Sequence, residues 1–416
     1  MAPAVERLAL DGGAPAHAGS WPAWPQPTED DAEAVAAIVR AGTWCSAAGG
    51  HAEVAAFEAE FAAMHAAPPG PGQPDAPVAA VAVTNGTSAL VLAMQAAGVG
   101  PGDEVVVPPY TFIATASAAL LLGAVPVFAD VDPDTLCLDP ASARAAIGPR
   151  TKAVVPVHFA GCPADLEGLS AVCRETGVSL IEDACQAPGA AWAGRPVGAW
   201  GQYACFSFQE SKNLSSGEGG AVLARGADAD LVWSLHNVGR TRGGAWYGHD
   251  LIGWNHRLTA LQAALLRSQL RRFPAQAARR AAAAAELRAR MAEIPGVRPT
   301  NPPAAVTAHA WHLFPFRIDT AAFGGRSRDQ VLAALRAEGV PASRGYVLLA
   351  ENEAILEARR VNAERAGTVP QPDQPLPVAR AAVQECCWLG QNILLAAPDA
   401  VAAIPAALAK IQRAWG

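Results

Sequence analysis

The stretch VAAVAVTNGTSALVLAMQAAGVGPGDEVVVPPYTFIATASAALLLGAVPVFADV, residues 78–131, decides the fold class. VAAVAVT (78–84), DEVVVPP (103–109) and VPVFADV (125–131) are short, nearly continuous apolar runs. Between them, TSALVLAMQAAG (87–98) and TFIATASAALLLG (111–123) carry helical periodicity and stop at glycine. Strands that are apolar throughout and alternate with helices predict a mostly parallel sheet with helices on both faces. The alternation continues through ASARAAI (141–147), AVVPVHF (153–159), LEGLSAVCRETG (166–177) and VSLIEDA (178–184). YACFSF (203–208) and GGAVLA (219–224) predict the last short strands of an α/β unit.

Outside this core the character changes. Residues 1–30 are rich in Pro, Gly and Trp and predict an extended arm. Residues 31–42 and 51–67 have helical period, and PPGPGQPDAP (68–77) predicts a flexible surface loop. A long helix is expected over 257–292, a strand over 309–319 and a helix over 328–339. The C-terminal run is helical, with a kink or break at Pro405. The expected organisation is an arm (1–30), a large domain (31–294) and a smaller α+β domain (295–416).

Composition narrows the function. Of 416 residues, 51% are apolar, and the formal net charge is −7. The basic residues form no stripe, so neither nucleic acid nor an anionic membrane is an expected partner. No apolar run is long enough to span a bilayer, and no signal peptide is read. Eight cysteines show no zinc-like spacing and no disulfide framework, which fits a reducing cytoplasm and no metal. GVGPGDE (98–104) precedes a strand rather than a helix and is not a dinucleotide fingerprint; no P-loop motif exists. His158 reads as a satisfied core or turn histidine.

Lysine is scarce: Lys152, Lys212 and Lys410 against 28 arginines. Lys212 lies in FSFQESKNLSSGEGGAV (206–222), among small polar residues and glycines. Only lysine can shed its proton and attack a carbonyl, so its retention there points to amine chemistry. Ligands of such sheets bind beyond the carboxyl ends of the strands. Three further features sit at strand ends. TNGTSA (84–89) opens a helix whose free amides suit a phosphate, with Thr87 or Ser88 as cap. Asp183 stands at the end of the strand VSLIEDA and needs a positive partner, for which a protonated pyridine nitrogen would serve. Gln186 stands ready for a ring hydroxyl, and Phe112 or Tyr110 for stacking on a planar ring. Ser207 is placed to reach the same phosphate. Together these supply what pyridoxal 5′-phosphate requires, and the 29-residue interval from Asp183 to Lys212 is more specific than any part.

NGTSALVLAMQAAGVGPGDEVVVPPYTFIATASAALLLGAVPVFADVDPDT (85–135), IEDACQAPGA (181–190), FSFQESKNLSSGEGGAV and GWNHRLTALQAALL (253–266) resemble the DegT/StrS family. Its members are fold-type I, pyridoxal-phosphate-dependent aminotransferases of keto sugars and keto cyclitols. The resemblance implies that Lys212 carries the covalent link to the cofactor, Asp183 pairs with the pyridine nitrogen and Gln186 meets the ring-hydroxyl side. It makes Phe112 the stacking aromatic and assigns Gly86, Thr87 and Ser207 to the phosphate. Asn255 then reaches the phosphate of a neighbouring subunit, so a homodimer with shared sites is implied. LDGGAPAHAGSWPAWP (10–25) and LPVARAAVQECCWLGQNILL (376–395) resemble the branch of aminocyclitol aminotransferases and 3-amino-5-hydroxybenzoate synthases.

The implied reaction moves an amino group from L-glutamine or L-glutamate to a small-molecule keto-cyclitol or keto-sugar in secondary metabolism. Lys212 is the general base and acid. Arg240, Arg242 and Arg257 are candidates for the donor carboxylate. A dehydratase or aromatising synthase on the same scaffold is the alternative, and a non-catalytic pyridoxal-phosphate-binding sensor a third. Asn255 lies 43 residues past Lys212, beyond a loop that is not required to fold back on the sheet.

Overall fold

The computed structural model describes residues 7–45 and 51–416. The first residues of the expected arm, 1–6, lie outside that range. Helices α1 (Glu29–Ala41) and α2 (Ala52–Met64) precede β1 (Val78–Val83). Then follow α3 (Gly86–Ala96), β2 (Glu104–Val107), α4 (Ala114–Leu121), β3 (Val125–Phe128), α5 (Pro140–Ala146), β4 (Thr151–Val154), α6 (Leu166–Thr176) and β5 (Ser179–Asp183). The hairpin of β6 (Ala191–Trp192) and β7 (Arg195–Pro196) leads to β8 (Tyr203–Ser207), β9 (Gly220–Arg225), α7 (Ala227–His236) and α8 (Ala260–Met291). The remainder comprises β10 (Val297–Pro299), β11 (Val306–Ala308), β12 (Leu313–Ile318), α9 (Arg328–Ala337), β13 (Ser343–Arg344), α10 (Glu353–Ala366), α11 (Pro377–Glu385), β14 (Cys386–Gly390) and α12 (Pro398–Trp415).

Seven strands form the main sheet in the order β1-β9-β8-β5-β4-β2-β3. Only β9 runs against its neighbours. Strand alternation divides its side chains between two buried faces. Val81, Val83, Cys205 and Val222 join the core that includes α3 and α7; Ala80, Ala82, Phe206 and Leu223 join the one that includes α2 and α8. Both faces are covered, which is why the strands read as unbroken apolar runs. The same alternation turns Glu182 and Asp183 to opposite sides.

A second sheet, β10-β12-β14-β13, has its own core with α9, α12 and the foot of α8. Leu8 from the arm belongs to that core. Residues from α10 and α11 instead pack into the main core, through Ile355, Ala379 and Ala382. The C-terminal elements therefore embrace the large sheet rather than hang beside it.

Two local expectations are corrected. Helix α12 continues through Pro405, which is buried on its packed face. Tertiary packing here outweighs the one backbone hydrogen bond that proline forfeits. The Pro-rich loop is fastened rather than free. Gln73 Nε2 donates to the carbonyls of Ala199, Trp200 and Gly201, at 3.0, 3.0 and 2.8 Å. His158 is buried and satisfied: Ala164 N–H donates to its Nδ1, and its Nε2 lies 3.2 Å from Glu182. That carboxylate also accepts from the N–H groups of Gly198, Trp200 and Gly201. Burial opposes its charge, but these donors win and hold its pKa below the ordinary range.

The arm is tied down by charge. Glu338 accepts from the N–H groups of Ala9 and Ala16, and Lys410 Nζ reaches both Glu338 (2.9 Å) and the carbonyl of Ala14 (2.7 Å). Both side chains of this ion pair are buried. Removing one member of a buried pair strands the other, at about 3–5 kcal/mol. Glu338→Ala is expected to destabilise the protein by that amount in urea unfolding and to expose residues 7–25 to proteolysis. Lys410→Met with Glu338→Leu should recover part of the loss, because neither charge then remains buried alone.

Candidate active site

The carboxyl ends of β1, β5 and β8 and the loop after β2 converge on a cavity of about 650 Å³. Its lining includes Gly86, Thr87, Phe112, Asp183, Gln186, Ser207 and Lys212, so seven of the sequence candidates meet in one place. A second cavity of about 740 Å³, beneath the Pro-rich loop, holds none of them.

The loop after β1 turns at Asn85, whose side chain accepts from Ser88 N–H at 2.8 Å. Asn85 is therefore the cap of α3, and Thr87 and Ser88 stand inside the first turn. Asparagine is as good a cap as serine, and its side chain takes the amide that matters. Early amides of α3, without carbonyl partners in the helix, remain at its positive end. Gly86 leaves room there: a Cβ on it would lie 2.7 Å from Ser207 Cβ and 3.0 Å from Cys185 Sγ. This bare backbone beside a serine hydroxyl suits a phosphate.

Asp183 ends β5 and is 4% exposed. Thr115 Oγ1 donates to its Oδ2 at 2.7 Å, and Cys185 N–H to its Oδ1 at 3.2 Å. Among the described residues, no cationic side chain forms an ion pair with it. A buried carboxylate with two donors and no cation fits a protonated pyridine nitrogen. Gln186 accepts from Ala160 N–H at 2.8 Å through Oε1, which turns its Nε2 toward the Tyr346 hydroxyl. Phe112 lines the cavity and is 58% exposed, whereas Tyr110 is fully buried against Phe159. Phe112 is thus the aromatic available for stacking.

Lys212 stands alone in role among the lysines: Lys152 is exposed and Lys410 clamps the arm. Burial lowers the pKa of Lys212, while Cys185 and Asp183 pull it back toward the charged form. Its loop is held from behind. Trp24 Nε1 donates to the carbonyls of Glu210 (3.0 Å) and Lys212 (3.1 Å). The next residue, Asn213, donates to the Ala310 carbonyl at 2.7 Å.

Four candidates stay out of the cavity. Asn255 is exposed. Its segment does fold back on the sheet: Thr84 N–H donates to His256 O, and Arg257 bridges Val83. Asn255 itself bridges Asn237, after α7, and remains exposed. Arg240 packs on Trp246, Arg242 pairs with Asp230, and Arg257 donates to Asn237 Oδ1. The sequence reading missed Thr115, Cys185, His312 and Tyr346, all of which line the cavity. Thr115 was within reach, since it lies three residues after Phe112 in the same entry to α4. Tyr346 and His312 come from the C-terminal third, and no local pattern marks them.

The crowding at Gly86 is directly testable. Gly86→Ala is expected to weaken pyridoxal 5′-phosphate binding about tenfold or more, read by absorbance titration, because overpacking costs about 1–3 kcal/mol. In the unliganded protein, Lys212 should acylate with acetic anhydride with a midpoint at lower pH than a lysine side chain in a short peptide, since a lowered pKa leaves more neutral amine at any given pH. A shared midpoint contradicts the desolvated site.

Comparison with known proteins places this geometry in a family. Residues 25–406 match the DegT/DnrJ/EryC1/StrS aminotransferase family. The chain is 36% identical over 382 residues to 3-amino-5-hydroxybenzoate synthase of Amycolatopsis mediterranei (strain S699), covering 91% of this chain and 94% of that one. It is 36% identical over 424 residues to L-glutamine:2-deoxy-scyllo-inosose aminotransferase of Streptomyces lividus, covering 98% of each. The crystal structure of a 3-amino-5-hydroxybenzoic acid synthase superposes with a TM-score of 0.83 at 35% identity, over 95% of this chain and 99% of that one. The shared fold is that of fold-type I aminotransferases, and the chain belongs to the DegT/DnrJ/EryC1/StrS aminotransferase family.

Proposed function

We propose that the enzyme binds pyridoxal 5′-phosphate in the 650 Å³ cavity and moves an amino group from L-glutamine or L-glutamate to a keto-cyclitol or keto-sugar of secondary metabolism. The observation that carries the cofactor reading is Asp183, buried without a cation and facing the cavity that Lys212 also lines. Support for the substrate class is the similarity to a protein named for L-glutamine and 2-deoxy-scyllo-inosose.

When bound, the cofactor supplies an aldehyde that accepts amino groups and a ring that withdraws electrons. The residues of this chain do the rest. The amides at the start of α3, at Gly86 and Thr87, and the Ser207 hydroxyl hold the phosphate. Phe112 covers the ring, and Gln186 Nε2 donates toward its hydroxyl. Asp183 keeps a proton on the ring nitrogen, which its Thr115 and Cys185 donors orient it to do. Lys212, its proton loosened by burial, provides the nucleophilic amine and then carries a proton at Nζ between donor carbon and cofactor. Arg240, Arg242 and Arg257 lie outside this cavity, so a donor carboxylate bound in it would meet one of them only from a neighbouring subunit.

We also assign Asn255 to a second subunit's phosphate. It is exposed beside the cavity-forming turn, and Ile252 and Trp254 next to it expose apolar surface, as do Phe112 and Ile113. Such a patch suits a two-fold interface between copies. The smaller unit is taken to begin near residue 295. An enzyme of this kind with no paired cysteine suits a reducing cytoplasm.

A second reading, an aromatising synthase, is favoured by the similarity to 3-amino-5-hydroxybenzoate synthase. Incubation with L-glutamine alone separates the two. An aminotransferase converts the bound cofactor to pyridoxamine phosphate, seen by absorbance and mass. A dehydratase leaves it unchanged.

Asp183→Asn should retain cofactor but lose most of its turnover, about 100-fold or more, because a neutral amide cannot hold the ring proton. For the shared site, Lys212→Ala and Asn255→Ala homodimers should each be weak or dead. After subunit exchange, activity should return toward roughly a quarter of wild type, since half of the dimers are hybrid and each has one intact site. If Asn255 served its own chain, nothing would return.

A further inference from the structure

His312 lines the active-site cavity yet has no part in holding the cofactor as assigned above. It is 6% exposed. Its Nδ1 lies 3.2 Å from Asn213 Oδ1. Asn213 is itself 2% exposed, and its Nδ2 donates to the Ala310 carbonyl at 2.7 Å. That carbonyl can only accept, so the amide of Asn213 has one orientation, with Oδ1 toward the imidazole. An oxygen acceptor facing Nδ1 requires the hydrogen on Nδ1. Burial, together with Lys212 and Arg280, pushes the pKa of His312 well down, so the ring stays neutral. The lone pair is therefore on Nε2. Among the described residues no hydrogen bond to Nε2 is formed, and the ring lines the cavity.

The backbone that carries His312 is built to hold it. Trp311 adopts φ of 52°, a left-handed conformation costly for an aromatic residue. Ala310 N–H donates to the Gly161 carbonyl, and His309 stacks on Trp311 with 3.6 Å between ring centres. A Cβ on Gly161 would lie 2.8 Å from both Trp311 N and Gln186 O. Strain of this kind persists only where the surroundings over-determine it.

We propose that His312 is a specificity residue: its Nε2 is a fixed hydrogen-bond acceptor for a hydroxyl of the polyhydroxylated ketone. This rests on the keto-cyclitol or keto-sugar reading for its ligand, but not for its tautomer. The other serine, threonine and amide groups of the cavity both donate and accept. A neutral imidazole with its hydrogen spent on Asn213 accepts only, and so selects a donor.

The first test needs neither cofactor nor substrate. In protein labelled with [15N]histidine, the signal lost in His312→Gln should report a neutral ring with hydrogen on Nδ1 throughout pH 6–8. A signal from hydrogen on Nε2, or a titration in that range, overturns the proposal. The second test compares His312→Gln, which offers a carbonyl oxygen, with His312→Phe, which offers nothing. With L-glutamine as donor and 2-deoxy-scyllo-inosose as acceptor, His312→Phe should raise the KM for the ketone about tenfold, one hydrogen bond's worth. The glutamine half-reaction should be unchanged, and His312→Gln should stay within about threefold of wild type. If His312→Phe instead slows the glutamine half-reaction and leaves the ketone KM alone, the residue serves Lys212 and the proposal fails. If wild type aminates no polyhydroxylated ketone at all, the functional reading fails, whatever the tautomer measured by resonance.

Discussion

Everything at this site depends on one electrostatic constraint: a carboxylate in a nearly dry place that, among the described residues, has no cationic side chain paired with it. Asp183 gains its position from β5, whose pairing with β4 and β8 buries it at the sheet's carboxyl edge. A lone carboxylate there costs several kcal/mol unless its oxygens are satisfied. Thr115 and the backbone of Cys185 supply two donors, and the cavity leaves space for a positive third. The same dryness lowers the pKa of Lys212. One burial therefore does two opposite things. It leaves a carboxylate in need of a cation, and it makes an amine willing to give up being one.

Much of this was legible in the sequence, and for a specific reason. Residues at strand ends are located by apolar runs, so Asp183, Ser207 and the Gly86 turn followed directly from the strand pattern. Lys212 stood out because lysine is rare here. Phe112 and Tyr110 could not be separated, because a helix start puts neighbouring residues on different faces and the sequence does not say which is inward. The cap of α3 was placed two or three residues late, since Asn, Thr and Ser all serve and only the backbone shows which one is extended. His312 and Tyr346 were invisible as site residues: they arrive from the C-terminal third by tertiary packing alone. The Pro-rich loop was misjudged from composition, because a single glutamine with three carbonyls to bind outweighs the proline content. The tail helix survives Pro405 for a similar reason.

The two adjacent acids of β5 show how alternation sorts chemistry. Glu182 points to the far side of the sheet, where the His158 ring and three backbone amides satisfy its oxygens. Asp183 points to the cavity and keeps an opening. Glu182 is enclosed by its donors, Asp183 faces the cavity, and a one-residue slip in register would exchange them.

The arm that runs from Glu338 to Trp24 has a meaning in time as well as in space. Its docking partners are the carbonyls behind Lys212, the Glu338–Lys410 pair and the C-terminal core that takes in Leu8. The arm precedes these partners in the chain: Glu338 lies 329 residues beyond Ala9 and Lys410 lies 396 beyond Ala14, so synthesis makes the arm long before those sites exist. The clamped part of the arm therefore settles only after Glu338 and Lys410 have been made, well after the lysine loop whose back Trp24 closes.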